Sequence, residues 1–128
     1  MKFSDLVVGL CFLAAPVAAW PHGDWPPKHG GVMNEGGETS FELVQRSDGI
    51  HIHVSDHGEA METAGSTATL TVLDSKQART FRGTPRGKDM MFFPKASAKA
   101  GDKVTLRVQF GAGSIAVGRF LMPEKSKK

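Results

Sequence analysis

All five histidines of this 128-residue chain fall between positions 22 and 57. His22 and His29 stand in a Pro/Gly-rich stretch, His51 and His53 are two apart, and His57 follows Asp56. Neutral imidazole is the commonest metal ligand among side chains, so this crowding predicts one region that holds a metal ion. Residues i and i+2 of a strand share a face, which places the His51 and His53 Cβ atoms roughly 6.5–7 Å apart and lets the two rings converge on one ion. Two polar residues on the wet side of a strand have the same pattern. Asp56 can orient the His57 ring by accepting its second N–H, or it can cap its own turn. In Pro27-Lys28-His29-Gly30-Gly31 the two glycines permit close backbone approach, so a loose segment can deliver the His29 imidazole onto the domain. Met33 adds a thioether. Soft sulfur suits Cu(I) and imidazole suits copper or zinc, so copper is the first expectation and zinc the second. Met61, Met90 and Met91 read as core filler.

Other chemistries find little support. The single cysteine, Cys11, lies in an apolar leader, so after its removal there is no disulfide, zinc–cysteine cluster, iron–sulfur centre or blue-copper thiolate. Ser55, Asp56 and His57 are consecutive, and adjacency in sequence does not build a nucleophile–base–orienter chain. Gly30-Gly31 and Gly36-Gly37 open no helix and make no phosphate loop. The chain reads as a non-enzyme. Its net charge is +3, part of it in the tail Lys125, Lys127 and Lys128, with no interleaved aromatics, which argues against nucleic acid as a partner.

Residues 1–19 have the form of a cleaved export signal: Lys2, an apolar run over 6–15, and Val17-Ala18-Ala19 as the cleavage site. That run is shorter than the ~20 residues of a membrane-spanning helix. The expected location is periplasmic, with no membrane span after signal removal. Residues 20–37 are rich in Pro and Gly and read as a flexible arm that settles onto the domain near His29 to Met33. From 38 to 122 the pattern becomes period-two, as in Ile50, Ile52 and Val54 alternating with His51, His53 and Ser55. About seven short strands between turn formers predict an all-β fold, an immunoglobulin-like antiparallel β-sandwich. Residues 123–128 form a basic tail.

Lys28-His29-Gly30-Gly31, then Phe41-Glu42-Leu43-Val44, then Val54-Ser55-Asp56-His57-Gly58 resemble a group of small exported proteins that accompany heavy-metal resistance pumps. The same order is similar to one β-module of the periplasmic adaptor subunits of those pumps, and the similarity continues through 65–73 and 104–120. The resemblance implies an exported β-domain in metal homeostasis, with His29 and His57 at the matching positions. His51 and His53 enter on strand geometry alone. The expected metal set is therefore His29 and His57 as principal ligands, His53 or His51 as the third, and Met33 or Asp56 in support. The expected function is a buffer or chaperone for copper or a zinc-like ion, with an efflux-pump adaptor subunit as a candidate partner. The competing expectation is a metal-free module that docks on an envelope or efflux-pump component.

Overall fold

The computed structural model describes residues 25–124; the expected leader, His22 and the tail lysines lie outside them. Nine strands follow one another: β1 (Val32–Gly36), β2 (Thr39–Arg46), β3 (Gly49–Asp56), β4 (Glu59–Ala60), β5 (Thr67–Leu73), β6 (Ala78–Pro85), β7 (Met90–Pro94), β8 (Lys103–Gln109) and β9 (Ile115–Leu121). Every pairing is antiparallel, and the described residues contain no helix, so none long and apolar enough to cross a membrane.

The sequence pattern explains most of the strands directly. In β8, Val104, Leu106 and Val108 are buried, while Lys103, Thr105, Arg107 and Gln109 are exposed. β3 buries Ile50, Ile52 and Val54 and leaves His51 and His53 half-buried on the opposite face. The inward residues meet in one core around Phe41, Ile52, Leu70, Met91, Phe93 and Leu106. Its apolar burial is the main favourable term in folding.

β2 breaks the alternation: Ser40 through Val44 are all buried. Phe41 and Leu43 face the core, whereas Glu42 lies under the segment before β1, which returns across the outside of the sheet. Five residues near the end of the stretch that reads as an arm, Val32–Gly36, are themselves β1, because β2 supplies partners for their backbone polar groups. β4 adds two residues beyond the His57-Gly58 turn, both with positive φ (52° and 84°), the backbone of a tight hairpin turn. These two short strands account for the excess over the expected seven.

The strand order is β1-β2-β3-β7-β6-β5-β8-β9, with β4 beside β7 on the same side of β3. Strands β5, β6 and β7 run as successive neighbours and β8 returns beside β5, the Greek-key arrangement. β6 joins the two halves of the sheet, pairing with β5 up to Gly83 and with β7 at Thr84 and Pro85. The ends of the sheet then meet. The Arg119 N–H of β9 donates to Asn34 Oδ1 of β1 at 2.7 Å, and at Gly36 a β-carbon would run into the Val117 backbone. A side-chain amide thus stands in for a ladder bond, and the sheet nearly closes into a barrel.

Candidate metal centre

Strand register assembles one row of side chains on the outer face of the first half of the sheet. Met33 of β1 pairs with Glu42 of β2, Glu42 with His53 of β3, and His53 with Met90 of β7. Residues directly opposite one another share a face, so two thioethers, a carboxylate and an imidazole lie in line. Met91, one residue on, is fully buried in the core, as expected of filler.

The segment before β1 lays His29 onto this row. Its imidazole stacks on that of His53, with centroids 3.7 Å apart and planes within 9° of parallel. Glu42 holds it there. Glu42 as a whole is only 4% exposed. Oε1 accepts from the Lys28 N–H at 3.0 Å, and Oε2 accepts from the His29 and Gly31 N–H groups at 2.8 Å each. The His29 ring lies with Nδ1 3.0 Å from Oε1. Gly31 is needed for this approach, since a β-carbon there would strike the Leu43 carbonyl. Burial disfavours the Glu42 charge, but the hydrogen bonds from the His29 ring and from the Gly31, His29 and Lys28 backbones outweigh it and bring the pKa below the ordinary carboxylate value.

This geometry sets the ring chemistry. An ionised carboxylate only accepts, so Nδ1 of His29 carries the hydrogen and, in the neutral ring, Nε2 keeps its lone pair. A carboxylate behind a histidine is the usual outer support of a metal-bound imidazole. His53 is the complement. Its Nδ1 is buried and has no hydrogen-bond partner. Desolvation first, and the neighbouring His29 second, lower its pKa, which keeps the ring neutral at pH 7. A pocket of about 280 Å³ opens beside the pair, with Trp25, Pro26, Met33 and Ala60 among its lining residues.

The donors present fit a soft or borderline ion: the Nε2 of His29, an unpartnered buried nitrogen on His53, and Met33, a thioether residue lining the same pocket. Stacked rings hold their in-plane lone pairs side by side, so one of the two must turn to share an ion. The His29 side chain, 41% exposed, has the room.

The other candidates lie elsewhere. His51 shares the face of His53, but its Nε2 is 2.9 Å from Asp48 Oδ1 and its ring meets Phe92 edge-on. Among the described residues no hydrogen bond or ion pair joins His57 to His29. The His57 Nδ1 is 2.7 Å from Asp56 Oδ1, and its Nε2 is 4.0 Å from Glu38 Oε1. Glu38, Asp56 and His57 are the one described set of three His, Asp or Glu side chains whose ligand atoms all lie within 4.8 Å, and all three are exposed. Glu42 is the residue that spacing alone did not single out. Alternation with Phe41 and Leu43 marks Glu42 as an outward strand position, so no local signal announces its burial. Compared with protein-family models, with curated proteins and with solved structures, the chain matches none of them.

Proposed function

We propose that this chain is a periplasmic metal-binding protein, a buffer or chaperone in metal homeostasis or efflux, that takes copper in preference to a zinc-like ion. The observation that carries this reading is the His29–His53 pair: one ring fixed through its Nδ1 by a buried carboxylate, the other with a buried nitrogen lacking any partner. An unsatisfied buried nitrogen beside a second imidazole and a thioether has a physical explanation if an ion completes it. His29, His53 and Met33 are the ligands assigned to the ion, and Glu42 positions His29. His57 with Asp56 belongs to a separate exposed group, and His51 is engaged by Asp48. The export signal read at 1–19 supports the periplasmic location, and the Greek-key strand order supports a sandwich of immunoglobulin-like type. A pump adaptor subunit as partner rests on the sequence resemblance.

Calorimetric titration with Cu(I), Cu(II) and Zn(II) tests the reading. Binding that is lost in His29→Ala and in His53→Ala, and kept in His57→Ala, is the expected result. Equal affinity in all three variants removes the site. The metal-free docking module is favoured by a different observation, the largely apolar lining that Trp25, Pro26 and Val54 give the same pocket. It predicts that no transition ion protects the protein against thermal unfolding.

A further inference from the structure

Charge is sorted between the two halves of the sheet. The strands β1, β2, β3, β4 and β7 contain Glu35, Glu42, Asp56 and Glu59 against one cation, Arg46. The strands β5, β6, β8 and β9 contain Arg79, Arg82, Lys103, Arg107 and Arg119 and no acid. A net charge of +3 on the whole chain conceals this asymmetry.

Register places four of these cations on one outward face. Arg82 and Arg107 both oppose Thr69, one from each side. Arg119 opposes Thr105, one row further along β8, and Lys103 lies in the next row. All four are exposed, and among the described residues none makes an ion pair. Diagonal neighbours on a sheet are ~7–8 Å apart, so Lys103, Arg119 and Arg107 form a zigzag of like charge across two strands. The positions between them are threonines 69, 71, 80 and 105, too short to shield the cations. Lys103 itself stands between Leu73 and Leu121, which are 47% and 63% exposed.

We infer that the outer face of β5, β6, β8 and β9 docks the protein on an anionic lipid surface, with the Arg82–Arg107–Arg119–Lys103 field over the headgroups and Leu73 and Leu121 at the acyl boundary. A field of one sign is complementary to a surface of negative charge. Leucines beside a cation at one corner of that field suit an interface that is wet on one side and apolar on the other. A soluble acidic protein would answer the cations and leave the leucines in water. The inference is independent of the metal site, which occupies the other half of the sheet.

Co-sedimentation of the exported protein with phosphatidylcholine vesicles, with and without phosphatidylglycerol, tests it. Binding is expected only with the anionic lipid, weakening as salt rises. Each cation near such a surface contributes roughly fivefold to partitioning, so Arg107→Glu/Arg119→Glu is expected to lower it by at least about tenfold. Arg46→Glu/Lys88→Glu changes net charge equally at exposed sites away from this face and is expected to retain binding within about twofold. Circular dichroism checks that both variants fold. An equal loss in the two variants makes net charge the cause and overturns the inference. Absence of any anionic preference overturns it too, as does binding to a soluble polyanion but not to vesicles.

Discussion

The His29 ring lies face to face with the His53 ring, 3.7 Å between centroids, and the Glu42 carboxylate behind His29 keeps it in that position. Two neutral imidazoles can stack in this way, whereas two imidazolium ions at that separation repel. Burial holds the His53 ring uncharged beneath His29, so that ring offers a neutral nitrogen to a ligand.

Stability should decline in two steps as the medium is acidified. His53 has a folded pKa below its ordinary 6.5, so between that value and the lower folded one the unfolded chain binds more protons and stability falls with falling pH. Glu42 has a folded pKa below its ordinary 4.5, so its contribution is complete above 4.5 and is lost as pH drops through the folded value. Urea unfolding across pH reads both. His53→Phe is expected to flatten the first step and leave the second.

Glu42→Gln keeps shape but replaces one carboxylate oxygen with an N–H₂ donor. Whichever way the amide turns, that donor faces two of the hydrogens that Glu42 now accepts. Hydrogen bonds to charged groups contribute about 1.5–3 kcal/mol each, so a loss of about 2–3 kcal/mol is expected, with metal affinity reduced about 10–100-fold. Amide exchange at Gly31, fast in the variant and slow in the parent, locates the effect in the segment before β1.

Met33→Leu conserves volume while removing the sulfur. It is expected to weaken Cu(I) by about tenfold, about 1.4 kcal/mol, and to leave Zn(II) unchanged, because thioether favours the softer ion. Equal loss of both metals would show that Met33 shapes the pocket and donates nothing.

Gly31→Val separates the site from the barrel. Its β-carbon meets the Leu43 carbonyl, so residues 25–31 must lift from the sheet. The expected outcome is a chain that still unfolds cooperatively but has lost high-affinity metal binding. Leu106→Ala, in the fully buried core, is expected to cost about 2–5 kcal/mol and spare the site in whatever fraction remains folded.

What was legible in the sequence is what local pattern controls. Period-two burial in β3 and β8 follows from alternation of Ile, Val and Leu with polar residues, and the turns follow from residues such as His57-Gly58 and Gly101 that accept positive φ. The delivery of His29 by its glycines was readable for the same reason: Gly31 is a local licence for close approach. Tertiary structure alone decided which imidazole His29 would meet. His53 and His57 are only four residues apart, but one lies mid-strand beneath the returning segment and the other in an exposed turn beside Glu38, and no spacing rule separates them. Glu42 likewise looks like a wet-face acid until residues 25–31 are folded over it, because burial belongs to the pairing of distant segments and not to a strand by itself. The one-sided charge of β5, β6, β8 and β9 has the same origin: five cations scattered from position 79 to 119 become a surface only when register puts four of them side by side.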